Sequence, residues 1–301
     1  MPFRVTDSST NSQLSARIGT QQAQLSVLRE RVASGKRINR ASDDPVGAET
    51  VLRLRTSQSE VEAFKRSTDA ANQKLASADS ALQSYEPLLD RMRSVVSQGL
   101  TDTTSQEGRN ALATELDSLR QRALNTANTQ SDGEYLFGGT RQSVAPFDPI
   151  TGAPAAATTG AQYLQLEPGT NAVAIGATAD KIFSDATSNI FTDLAAASAA
   201  LRGTGNAAAD KTTLQTTIDR LGIYNNLTNA AHAQIGVNMK TVESSQERLN
   251  NDSISLKERT SAIEDADLAA TALDLTETDR ALQATLQVAA KGRRSLLDYL
   301  S

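Results

Sequence analysis

The chain of 301 residues contains no cysteine, which excludes disulfides, thiolate metal sites and a cysteine nucleophile and leaves the redox compartment unmarked. Its one histidine, His232, has no second imidazole with which to hold zinc. At a helical seam position it reads instead as a packed, hydrogen-bonded residue. Tryptophan is absent and aromatic residues make up 4%, so the core has to come mostly from Leu, Ile, Val and Ala, which suits a thin helical bundle. No run of about twenty apolar residues exists, and no membrane insertion is expected. Met1 to Asp7 lacks the apolar core of a secretory signal, so any export is expected to use another machine and to leave no cleaved peptide. The basic residues between Arg29 and Arg40 are offset by Glu30, Asp43 and Asp44, and the net charge is −5, so a nucleic-acid partner is not expected.

Reactive groupings are equally sparse. Glu264, Asp265 and Asp267 crowd within one turn but lack the spaced oxygens and central glycine of a calcium loop. Gly138-Gly139 alone does not make a phosphate cradle. We identify no catalytic residue, no cofactor-binding residue and no metal ligand, and expect a non-enzymatic protein.

Heptad patterning fills the space that chemistry leaves. Near the start, Asn11, Leu14, Ile18, Gln21, Leu25, Leu28 and Val32 step by threes and fours. At the end, Leu268, Ala272, Leu275, Asp279, Leu282, Leu286, Ala289, Arg293, Leu296 and Leu300 do the same. That period places each set on one stripe of a helix, where it can pair with partner helices, and polar members restrict the partner accepted. We take Leu14, Ile18, Leu25, Leu28, Val32, Leu268, Leu275, Leu282, Leu286, Leu296 and Leu300 as an assembly seam.

Two longer frames lie between. Leu54, Ser57, Val61, Phe64, Thr68, Ala71, Leu75, Ala78, Leu82, Tyr85, Leu89, Met92 and Val96 predict a helix about 80 Å long, with Pro87 expected to kink it. Leu214, Ile218, Leu221, Asn225, Thr228, His232, Ile235, Met239, Val242, Gln246, Leu249, Ser253, Leu256, Thr260 and Ile263 predict a second of equal length. Gly35 suits a helix C-terminus, and Asp44-Pro45 reads as an N-cap followed by proline at the first helical position. Thr104 with Glu107, and Ser261 with Glu264, are capping-box patterns. From Gly133 to Thr178 prolines and glycines cluster, and Tyr135 to Phe137, Ala161 to Glu167 and Ala172 to Ile175 read as short strands, with a turn at Glu167 to Thr170.

The fold class is therefore mainly α: a long antiparallel helical bundle or coiled-coil core with terminal helices and an inserted small β-rich domain. The expected divisions are an N-terminal assembly helix and linker (1–44), the first part of the helical core (45–132), a β-rich outer insertion with a short helix (133–205), the second part of the core (206–263) and a C-terminal assembly helix (264–301).

At two places the residues resemble the bacterial flagellin family. Ser34-Gly35-Lys36-Arg37-Ile38-Asn39 followed by Ser42-Asp43-Asp44 is similar to its N-terminal marker, and Ile263-Glu264-Asp265-Ala266-Asp267 to its C-terminal one. The marker residues are Gly35, Ile38, Asn39, Asp43, Asp44, Ile263, Glu264, Asp265 and Asp267, and the resemblance spans roughly 1–137 and 207–301. Asp44-Pro45-Val46-Gly47, Glu134 to Gly139 and the ending Ser295 to Leu300 are similar to the hook–filament junction branch more than to filament flagellin. That resemblance implies an extracellular subunit of the bacterial flagellum, exported through the flagellar type III channel, with terminal helices that order on assembly. Its implied partners are the first hook-associated protein on the hook side, flagellin on the filament side, further copies in a ring, and an export chaperone. A minor or short flagellin of the filament itself is the alternative.

Overall fold

The computed structural model describes residues 3–101, 103–155, 160–167 and 172–298, with side chains described for 12–290 within those bounds. Among them are seven α-helices and four two-residue strands. They run α1 (Phe3–Ser34), α2 (Pro45–Gly99), α3 (Gln106–Ala127), β1 (Gln130–Ser131), β2 (Glu134–Tyr135), β3 (Tyr163–Leu164), β4 (Val173–Ala174), α4 (Ala179–Phe183), α5 (Ile190–Arg202), α6 (Ala207–Glu264) and α7 (Leu268–Asp298). The chain divides into two compact units, residues 1–60 with 252–301, and residues 61–251. The first turns of α2 and the last of α6 belong to the first unit, and the rest of each to the second.

In the first unit α1 and α7 pack on each other antiparallel: the end of α1 meets the start of α7, and Arg29 Nη2 lies 3.9 Å from Asp279 Oδ1 further along.

The second unit is built on the frame anticipated for α2. Thr68, Ala71, Leu75, Ala78, Leu82, Tyr85, Leu89, Met92 and Val96 are all buried, while Val61 and Phe64 are half-buried. Pro87 stands inside α2, which continues through it as one helix. In α6 four steps of the expected frame are displaced by one residue, while Ser253 and Thr260 stay buried in frame. Thr217, Tyr224, Asn238 and Ser245 are buried, whereas Ile218, Asn225, Met239 and Gln246 are half-buried. Each buried polar side chain of that set has a partner. Tyr224 Oη donates to Asp193 Oδ2 at 2.7 Å, Asn238 Nδ2 donates to the Ala174 carbonyl at 2.8 Å, Ser245 Oγ donates to Glu167, and Thr217 Oγ1 donates to the Thr213 carbonyl at 2.8 Å.

His232 is half-buried and ionic. Its Nδ1 is 2.8 Å from Glu86 Oε1 and its Nε2 is 2.9 Å from Asp79 Oδ1. Only the imidazolium can donate from both nitrogens at once. Hydrogen bonding to Glu86, with the Asp79 charge, raises its pKa against the opposing effect of burial.

The insertion holds two antiparallel two-stranded ladders, β1 with β2 and β3 with β4. The first closes through Asp132 (φ +52°) and Gly133 (φ +82°), a pair of left-handed residues of the kind that matches strand twist in a tight hairpin. Leu136 and Phe137, expected in a strand, follow β2 and are buried. Part of the expected turn, residues 168–170, lies outside the described residues. Helix α5 packs on α3, opened by Asn189, whose Oδ1 accepts from Thr192 N at 2.9 Å, and closed by Gly203 at φ +88°. The cap of α3 is Ser105 rather than Thr104, its side chain accepting from Gly108 N at 3.2 Å.

Phe183 of α4 centres an aromatic cluster, 4.9 Å from Tyr85, 5.6 Å from Phe137, and 5.9 Å from both Phe147 and Phe191 between ring centroids. The insertion thus shares one apolar core with α2, α3, α5 and α6.

The terminal-helix face and the joint behind it

Every residue of the two markers falls in one joint of the first unit. Gly35 ends α1 at φ +72°, where a Cβ would be strained, and its N–H donates to the Arg31 carbonyl at 2.9 Å. The chain then runs antiparallel to the α6–α7 link. Arg37 N donates to the Glu264 carbonyl at 2.7 Å, and Ala266 N donates to the Gly35 carbonyl at 2.9 Å. Arg37 also donates from Nη2 to the Ile263 carbonyl at 2.8 Å and reaches Asp44 Oδ2 at 3.3 Å.

Two carboxylates shape the linker between α1 and α2. Asp43 Oδ2 accepts from Arg40 N at 2.9 Å and Asn39 N at 3.1 Å, while Asn39 Nδ2 donates to the Lys36 carbonyl at 3.1 Å. Asp44 Oδ1 accepts from Gly47 N at 2.9 Å, the N-cap bond expected before Pro45. These backbone donors, first those of Arg40 and Gly47 respectively, hold both carboxyls below the usual aspartate range. Ile38 is buried, and a Cβ on Gly47 would come within 2.6 Å of its Cδ1 and 2.5 Å of Asp44 Oδ2, so a larger residue there would push both side chains aside.

Glu264 is the charged centre. It is 7% exposed, and its Oε1 takes both Lys36 Nζ and Arg55 Nη2 at 2.6 Å. Burial alone would raise its pKa, but the bonds from Lys36 and Arg55 outweigh that and lower it. The expected cap between Ser261 and Glu264 is not formed, since α6 runs on to Glu264 and Ser261 bonds Asp265. The cap of α7 is Asp267, whose Oδ1 accepts from Ala269 N and Ala270 N at 3.0 Å each. The pairing of Lys36 and Arg55 depends on a carboxylate more than two hundred residues away, and no local pattern carries it.

The seam residues divide into two groups. Leu25 is buried; Leu14, Ile18, Leu28, Leu275 and Leu282 are half-buried; Val32, Leu268 and Leu286 are exposed. The side chains of Leu296 and Leu300 lie outside those described. The stripe of α7 that is at least partly covered is Thr271, Leu275, Thr278, Leu282, Thr285 and Ala289, with Asp279 at its edge; it shares Leu275, Leu282 and Ala289 with the heptad and sets threonines between them. Leu268 and Leu286, five full turns apart, lie on one flank of that stripe, while Leu273 and Val288, 65% and 64% exposed, face away from it on the rest of α7. On α1, Gln21 Oε1 and Arg31 Nε are buried without a hydrogen-bond partner. A cavity of about 520 Å³ opens between Val27 and Leu28 of α1 and Asp274 and Thr278 of α7. The hairpin thus covers one stripe of α7 and leaves large apolar side chains bare outside it.

Comparison with known proteins agrees with the two markers. The bacterial flagellin N-terminal helical region matches residues 6–142, and the bacterial flagellin C-terminal helical region matches residues 218–300. The chain is 28% identical to flagellar hook-associated protein 3 of Escherichia coli over 85% of this chain and 86% of that one. It is 29% identical to a flagellin of Listeria innocua over 82% and 81%. In structure it resembles the flagellar junction protein FlgL of Legionella pneumophila with a TM-score of 0.56 at 15% identity, over 72% of this chain and all of the other. With both helical regions matched and both markers folded into one joint, the chain belongs to the bacterial flagellin family.

Proposed function

We propose that the protein is a structural, non-enzymatic subunit that joins the flagellar hook to the flagellin filament and polymerises through α1 and α7. The observation that carries this reading is the number of large apolar side chains left uncovered on the terminal hairpin. Val27, Val32, Leu268, Leu273, Leu286 and Val288 are all more than a third exposed on two helices that already pack together. Spread over several sides of the pair, they suit helices that further helices surround. Further copies would cover them in a ring, with the first hook-associated protein on the hook side and flagellin on the filament side. An export chaperone that shields the same amphipathic helix before assembly fits the same face. Export through the flagellar channel, without a cleaved signal, would deliver the chain to the outside of the cell.

Similarity to the Listeria flagellin supports a second reading, a short flagellin of the filament. Deleting the gene separates the two. Cells that keep their hooks but shed unpolymerised flagellin into the medium support the junction role. Cells that still build filaments overturn it.

A further inference from the structure

Between β2 and β3 the chain makes a four-residue turn, Asp148 to Thr151, that carries Ile150 at its tip. Ile150 is 79% exposed, the most exposed large apolar side chain among the described residues. The turn is fixed from below. Asp148 Oδ1 accepts from Thr151 N at 2.7 Å, Thr151 Oγ1 at 2.9 Å and Ile150 N at 3.0 Å. Arg120 of α3 donates to the carbonyls of Ile150 and Thr151, and Gln121 donates to that of Pro149, each at 3.3 Å. A knob ordered in advance loses little further entropy when it is bound.

The same unit contains a hole. A cavity of about 670 Å³ opens between the β3–β4 ladder and α6, walled by Ala174, Ala177, Ala230, Ala231 and Ile235. Lys181 is its one charged lining residue, and it forms no ion pair with the described residues. Thr178, also in the lining, is 2% exposed and its hydroxyl has no hydrogen-bond partner. A cavity of this size admits a turn rather than one side chain. The apolar tip, with an ionised aspartate beside it, matches the apolar wall with its lysine.

Knob and hole also stand at one height. His232 of α6 meets Asp79 and Glu86 of α2, and Arg91 of α2 meets Glu115 of α3, five residues before Arg120. The stretch of α6 that lines the cavity and the anchor of the turn on α3 are therefore level along α2, on different helices.

We propose that the Asp148–Thr151 turn of one subunit seats in the Ala230–Ala231 cavity of a second copy, with Asp148 facing Lys181. This rests on the self-association put forward above and names a contact for it. The contact is heterologous, and because its two halves lie at similar heights on different helices, it can repeat from copy to copy around an axis parallel to the helices.

The cysteine-free chain makes the test direct. Ile150→Cys and Gln234→Cys, a substitution at the cavity rim, are purified as separate single variants, mixed at high concentration and oxidised. Val46→Cys, at a site 75% exposed, replaces Ile150→Cys in the control mixture. The contact predicts disulfide-linked dimers at least tenfold faster than in the control, slowed again when Lys181→Glu is added to the Gln234→Cys chain. The double variant, oxidised in isolated flagella, should give a ladder above the dimer. Linkage no faster than control in both settings overturns the contact and leaves the junction reading standing. Fast linkage in a chain whose deletion leaves filaments intact keeps the contact and removes the junction reading.

Discussion

Lys36 Nζ and Glu264 Oε1 meet at 2.6 Å, one from the start of the linker after α1 and the other from the last turn of α6, and Arg55 reaches the same oxygen. One buried carboxylate thus ties together the start of α2, the linker after α1 and the end of α6. Glu264→Gln removes the charge while keeping the shape. It should destabilise the first unit by about 1–3 kcal/mol, the range for hydrogen bonds to charged groups, with the lower part favoured because both cations are half in water. Proteolysis within residues 35–44 should quicken.

The same carboxylate sets an acid limit. Its folded pKa lies below its ordinary value near 4.5, so its contribution is complete above that value and is lost as pH falls through the depressed one. Protease sensitivity of the linker should rise on acidification below about 4.5 in the parent chain. In Glu264→Gln it should be high throughout and change less.

His232 sets the opposite limit. Its folded pKa is raised above 6.5, so the clamp on Asp79 and Glu86 is complete below that value and is lost as pH rises through the folded one. The melting temperature of the second unit, followed by circular dichroism, should fall as pH rises above 6.5. His232→Gln should flatten that slope at a cost of about 0.5–1.5 kcal/mol at lower pH. A slope unchanged by the substitution would refute the clamp.

Leu82 and Ile235 are at most 1% exposed, and truncating either to alanine should cost about 2–5 kcal/mol in chemical denaturation. Ile218→Ala should cost less, since Ile218 is only half-buried.

Leu286 is 44% exposed on α7 and touches the proposed assembly face. Leu286→Asp should leave the helicity and melting of the monomer unchanged. It should abolish incorporation at the hook tip, where each copy would bury an unpaired carboxylate at a cost of several kcal/mol. A swimming mutant would refute the role given to this face.

The long helices were legible because period and burial coincide in α2, where even Thr68 and Tyr85 fall in frame. They coincide less in α6, because Tyr224, Asn238 and Ser245 are buried by partners in the insertion. Apolarity does not mark a polar residue whose bond lies far along the chain. The threonines of α7 escaped the pattern in another way, since Thr271 and Thr285 turn their hydroxyls onto the Asp267 and Ala281 carbonyls of their own turn. The insertion hid its core differently. Phe137, Phe147, Phe183 and Phe191 are scattered singly through short segments with no shared period, yet they close around Phe183, which meets Tyr85 of α2. Deleting residues 140–200 would therefore open the core of the second unit.

The first unit is assembled from residues 1–60 and 252–301, with Gly35 bonded to Ala266. A chain emerging from its N-terminus cannot make that bond until some 230 later residues have appeared. Its loop-closure cost grows only logarithmically with that length, but the search is long. The second unit has all its parts by residue 251 and can fold first. The joint is then the last piece of the molecule to form, and until it does α1 remains a solitary helix with its apolar stripe in water.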